Sequence, residues 1–115
     1  MKPRAWPWAL LVAAAAFAAF LPALGNGWVN WDDDKFFLDN PHWRGLSWEH
    51  LRWMFTTAHS RVYQPLSWVS LAVDHRFWGL DPKGYHLTNL ILHALASGVF
   101  FLVCRRLLAA AQDEA

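Results

Sequence analysis

Trp6 to Leu24 run 19 residues without a charged side chain, and Leu87 to Val103 form a second apolar run that extends to Leu108. At about 1.5 Å per helical residue the first run covers roughly 28 Å, close to the hydrocarbon thickness of a bilayer. Trp6 and Trp8 sit at one end of it, where an indole ring and its N–H favour the headgroup zone. Pro22 falls in its last turn, and Gly25-Asn26-Gly27 ends it. Lys2 and Arg4 precede the first run and Arg105-Arg106 close the second, so both basic clusters belong on the cytoplasmic side. The segment between the runs holds six Lys/Arg and seven Asp/Glu, a balance compatible with export.

These features predict an all-α membrane protein with two transmembrane helices and an ordered extracytoplasmic loop that contains one or two interfacial helices. The predicted organisation is a cytoplasmic N-terminus over 1–5, a first span over 6–24 and an extracytoplasmic loop over 25–86. A second span over 87–108 and a cytoplasmic tail over 109–115 complete it. Such a chain sits in the cytoplasmic (inner) membrane with its loop facing the periplasm or exterior. Ala23-Leu24-Gly25 after a basic start and an apolar run also describes a cleaved signal peptide. The length of the run and its early Trp6 and Trp8 favour the span.

The chain is 56% hydrophobic and only 17% charged, with nine Trp in 115 residues, an excess that suits a membrane interface better than a soluble core. The net charge of +1 gives no reason to expect a nucleic-acid partner. A lone cysteine, Cys104, rules out an internal disulfide and a cysteine-based metal site.

Within the loop, Asn40-Pro41 signals a turn, and Gly27–Lys35 reads as irregular because Asn and Asp compete for backbone hydrogen bonds. Ser47 has the character of an N-cap, with Glu49 in the first turn that follows. Trp48, Leu51 and Phe55 then share one face of a short helix, directed at lipid or at another span. Pro65–Trp78 predicts a second helix, with Leu66, Val69, Val73 and Phe77 in an apolar stripe. Asp74 and Arg76 interrupt it, so it is a surface or re-entrant helix and not a third span. Gly79 to Gly84 reads as a loop leading into the second span.

Three groups of residues can carry chemistry. Trp31 is followed by Asp32, Asp33 and Asp34, three like charges close to the membrane surface. A carboxylate there serves as a general base toward a hydroxyl, or Asp33 as an oxygen ligand to a divalent metal. A solvated acidic turn is the bland alternative. His86, Asn89 and His93 recur at spacings of three and four, one face of the second span. They suit contact with a phosphate, or adhesion to neighbouring helices. Two histidines lack an evident third partner for a metal. Arg61, just before the second loop helix, suits an anionic lipid-linked substrate or plain headgroups. No Gly-x-Ser-x-Gly, Walker or dinucleotide pattern occurs.

Five stretches occur in a recognisable order: Trp28-Val29-Asn30-Trp31-Asp32-Asp33, Asn40-Pro41-His42, the run from Gly45 to Thr57, Tyr63-Gln64-Pro65-Leu66-Ser67-Trp68, and the run from Phe77 to Ala94. Together, over about residues 5–108, they resemble the N-terminal part of polytopic membrane glycosyltransferases of the GT-C class. The nearest type is the bacterial kind that carries tetratricopeptide repeats and is related to O-mannosyltransferases. The resemblance implies a polyprenyl-phosphate-linked sugar donor, a hydroxyl acceptor, and an acidic pair in the first extracytoplasmic loop acting as base or metal ligand. That pair corresponds to Asp32 and Asp33; Asp34 stands where a less acidic residue, often proline, is expected. Arg61, His86, Asn89 and His93 are candidate contacts to donor or acceptor. Such enzymes have many spans, and two helices cannot enclose both substrates. The chain is therefore expected to be an N-terminal module, a fragment or part of a split assembly, inactive in isolation. Its implied partners are membrane lipids, the donor and further transmembrane helices. The contrasting reading is a small non-catalytic membrane interaction protein whose Trp-rich loop docks a partner.

Overall fold

A computed structural model describes residues 4–113. They are helical, with no strand among the described residues beyond an isolated bridge between His59 and Val62. Four α-helices occur among the described residues: α1 (Trp6–Phe20), α2 (Trp48–Thr56), α3 (Pro65–Trp78) and α4 (Pro82–Asp113). The helical stretch Trp6–Gly25, which is α1 with the turn that follows it, and Pro82–Gln112 of α4 are long and apolar enough to cross a membrane, and the molecule is an all-α membrane protein. The chain divides into two compact units, a hairpin unit of 1–23 with 87–115 and a loop unit of 24–86.

In the hairpin unit, α1 gives way at Leu21–Gly25 to a tighter 3₁₀ turn that contains Pro22. Helices α1 and α4 run antiparallel: Phe20 meets the ring of His93 edge-on at 4.9 Å, and Gly98 lies against Ala9 and Ala13. A Cβ at Gly98 would stand 3.0 Å from the Ala9 carbonyl oxygen, so glycine permits the close approach. Leu90, Ala94 and Ala9 are the buried apolar side chains of this unit.

Helix α4 starts earlier than the apolar run suggests. Asp81 Oδ1 accepts from the Lys83 N–H (3.0 Å), and Pro82 occupies the first helical position. The expected loop residues Lys83 and Gly84 are therefore helical. Gly84 is obligatory there, since a Cβ would fall 2.1 Å from Trp78 Cγ.

The loop unit has a genuine core. Trp43, Met54, Trp68, Ala72 and Tyr85 are buried together, with Trp28, Phe36, Phe37, Leu51 and Trp53 packed around them. Helix α3 has the bounds its sequence suggests, but it packs through Trp68 and Ala72. Leu66, Val73 and Phe77 stay exposed, Phe77 at 79%. The helix is apolar on two faces, and the bulky Trp68 selects the inward one. Helix α2 likewise buries Met54 and leaves Trp48 and Phe55 outward. Ser47 precedes α2 without capping it through its side chain; its Oγ bonds the Nδ1 of His50 instead (2.6 Å).

Candidate functional site

The acidic turn hangs between two aromatic anchors. On its N-terminal side, Trp28 stacks on Phe37 (5.8 Å) and meets Tyr85 edge-on (5.1 Å). Its Nε1 also donates to the Leu80 carbonyl (2.9 Å). On the other side, Phe36 and Phe37 pack on Trp68, and Phe37 on Trp43. Asp32 to Asp34 lie in between. Gly27 to Asp32 are irregular or turn, as expected, while Asp34 and Lys35 at the end of that stretch open a single π-helical turn, Asp34–Leu38, closed by the Asp39 N–H on the Asp34 carbonyl (2.7 Å). That wider winding lets the consecutive Phe36 and Phe37 both reach the core; π turns recur at functional sites.

The three carboxylates are not equivalent. Asp33 is half-buried, and its Oδ2 accepts from the Val29 N–H (2.8 Å). Asp34 Oδ1 accepts from the Lys35 N–H (2.9 Å). Asp32 is exposed with no side-chain hydrogen bond among the described residues, while its carbonyl accepts from the Phe36 N–H (2.8 Å). Asp32 therefore offers a free carboxylate on a backbone pinned at both ends.

Arg44, which the sequence did not single out, secures the far end of this turn. Its guanidinium donates to the Phe37 carbonyl (3.0 Å) and to the Leu38 carbonyl, and it lies over the Trp43 ring at 5.8 Å. Trp43 Nε1 donates to the same Phe37 oxygen (3.2 Å). Only the three-dimensional arrangement reveals this role, since Arg44 belongs to no motif. Arg44 also acts on His75: burial first, and this guanidinium second, hold the imidazole below its ordinary pKa of 6.5.

Arg61 is exposed in a turn closed by the Val62 N–H on the His59 carbonyl (2.9 Å). Ser60 (φ 50°) and Arg61 (φ 68°) both adopt left-handed backbone, in a turn type that usually carries Asn-Gly. Non-glycine residues there cost of order 1 kcal/mol or more each. The core supplies the constraint, for His59 packs against Trp68 (6.0 Å), Trp53 (5.9 Å) and Phe36 (5.4 Å). The Phe36–His59 contact thus links the acidic turn to the turn that bears Arg61.

The remaining candidates separate. His86 ends the loop unit, half-buried, its Nε2 enclosed without a hydrogen-bond partner. Asn89 and His93 belong to the hairpin unit and are exposed. The His93 ring engages Phe20, the adhesive role between helices. For a metal, Asp33 finds no ligand set: no group of three or more His, Cys, Asp or Glu gathers among the described residues.

Comparison with known proteins places the chain. It is 31% identical over 106 residues to protein O-mannosyl-transferase tmtc2 of Xenopus laevis, an alignment covering 85% of this chain. It is 33% identical over 104 residues to protein O-mannosyl-transferase Tmtc1 of Drosophila melanogaster, covering 84% of this chain. By sequence, the chain is related to proteins named protein O-mannosyl-transferases. Human TMTC2 shows 39% identity over a shorter stretch of 51 residues. The chain spans 13% of the length of the frog relative and 12% of the fly one. No family model and no solved structure matches it.

Proposed function

We propose that this chain forms the acceptor-activating module of a membrane glycosyltransferase of the GT-C kind, which moves a sugar from a polyprenyl-phosphate carrier to a hydroxyl. The observation that carries the reading is the acidic turn: in a relative of O-mannosyl-transferases, an unpartnered Asp32 and a pinned Asp33 stand on a backbone anchored in an aromatic core. Asp32 is the general base and takes the proton from the acceptor hydroxyl. The acceptor oxygen forms a new bond to the sugar's anomeric carbon, while the bond from that carbon to the carrier phosphate breaks and its electron pair leaves on the phosphate oxygen. Asp33, held by Val29, fixes the turn so that Asp32 meets the hydroxyl. Arg61 and His86 supply cationic and hydrogen-bonding contacts to the carrier phosphate. No step is routed through a metal. The loop lies on the periplasmic or exterior side of the membrane, and Arg4, Arg105 and Arg106 mark the cytoplasmic side.

The test uses membranes carrying the chain in its native setting, supplied with labelled polyprenyl-phosphate mannose and a hydroxyl-bearing peptide. Loss of a general base lowers transfer by on the order of 10²-fold or more, so Asp32→Asn is expected to do this while membrane insertion stays intact. Unchanged transfer in Asp32→Asn and in Asp33→Asn removes the carboxylates from the mechanism. The competing reading, a non-catalytic interaction protein, is favoured by Trp31 and Trp48, which stand 79% and 77% exposed. It gains if Trp31→Ala and Trp48→Ala abolish capture of a partner while transfer is absent from the wild type.

A further inference from the structure

The end of the hairpin unit that carries the arginines holds a cavity of about 480 Å³. Ala5, ahead of α1, forms one wall; Val99, Leu102 and Val103 of α4 form the other. Arg105 and Arg106 line it as well. Val99, Leu102, Val103 and Arg106 recur at spacings of three and four, so one face of α4 passes from apolar to cationic within two turns. Ala5 stands opposite with a single methyl group, and that small side chain leaves the gap open. A volume of this size lies in the range of ligand pockets.

The chemistry of the walls narrows the occupant. Water gains too few hydrogen bonds from Val, Leu and Ala to fill the apolar part, and an empty gap forfeits dispersion contacts. Hydrocarbon suits it. The arginine pair suits a phosphate, which a guanidinium binds in bidentate fashion. The groove is lined by a helix long and apolar enough to cross a bilayer, where a molecule with an acyl chain and an anionic head is at hand. The geometry points to a bound anionic phospholipid, its phosphate on Arg105 and Arg106 and the start of an acyl chain along Val99, Leu102 and Val103, clamping α1 to α4. Zwitterionic lipid carries a compensating cation in its head and is the poorer fit.

The full chain, purified in a mild detergent and mixed with equal amounts of phosphatidylglycerol and phosphatidylcholine, is examined by native mass spectrometry. One phosphatidylglycerol per chain is expected to remain bound under activation that strips phosphatidylcholine. Each arginine near a membrane surface contributes about fivefold to anionic lipid binding, so R105Q/R106Q is expected to weaken retention by roughly tenfold or more. Ala5→Phe keeps both cations and fills the gap; it too is expected to lose the lipid. Helical circular dichroism confirms that each variant is folded, and should the double variant fail to fold, Ala5→Phe decides alone. Equal retention of phosphatidylcholine overturns the inference. So does wild-type retention by Ala5→Phe, which would mean surface charge without a site.

Discussion

The two units of this molecule solve the same problem in opposite ways. The loop unit encloses Trp43, Met54 and Trp68 completely and surrounds them with further rings, as a water-soluble domain does. The hairpin unit buries only Ala9, Leu90, Ala94 and Gly98 among its described residues, and turns Leu10, Leu11, Leu95, Val99 and Phe100 outward. Burial of large apolar groups drives folding where the alternative is water. Where the alternative is lipid, that drive vanishes, and close approach of small residues is what remains. The loop is thus expected to behave as an ordered body with its own stability, and the hairpin as a pair of helices that hydrocarbon completes.

That contrast can be broken at several points. The largest effect is expected from Trp68→Ala, which empties the centre of the aromatic core. Loss of a buried aromatic costs about 3–5 kcal/mol, so limited proteolysis should cut the loop while the helical signal of the two spans persists. Simultaneous loss of both would show that the units are not independent. Gly84→Ala is next. Its Cβ would displace the Trp78 ring at about 1–3 kcal/mol, read as a lower urea midpoint for the loop unit. Gly98→Leu is the counterpart in the hairpin. It pushes against the Ala9 backbone and should weaken cross-linking between cysteines placed on α1 and α4, at about 1 kcal/mol, leaving the loop midpoint unchanged.

Arg61→Gly sharpens the comparison in the other direction. It relieves a left-handed residue and is expected to raise loop stability by about 0.5–1 kcal/mol, while transfer falls if Arg61 holds the carrier phosphate. A variant both more stable and fully active would mean the turn is strained for no catalytic reason. The smallest effect concerns His75. Its folded pKa lies below 6.5, so the native loop favours neutral imidazole. The unfolded chain takes up the proton more readily as pH falls below 6.5, and the loop unit then loses stability. The urea midpoint should drop between pH 7.5 and pH 5.5 more in the wild type than in His75→Gln.

Much of the architecture was legible in the sequence. The charge-free run and the bounds of α3 follow from residue type, since apolarity and Pro at a helix start act locally. The start of α4 was missed: Asp81 and Pro82 mark it, but Gly79 and Gly84 made the stretch read as a loop. The helix faces were not legible. Helices α2 and α3 carry apolar residues on more than one side, and periodicity cannot choose between Leu66 and Trp68. For the candidate site, the sequence pointed to Asp32 and Asp33 together, and nothing in it ranks one above the other. The Arg44 clamp and the left-handed backbone at Ser60 and Arg61 leave no local signature either.

From the sequence alone, then, came two membrane spans, the helical character of the segment between them, and an acidic run beside aromatic residues. These depend on hydropathy, helix propensity and the chemistry of side chains, which act over a few neighbours. The tertiary structure decided which indole goes inside, which carboxylate is tied to Val29 and which stays free, and how the turns of Asp32 and Arg61 share a core through Phe36 and His59. Those outcomes depend on contacts between residues far apart in the chain, where volume and hydrogen-bond geometry select one arrangement among several that local preference allows equally.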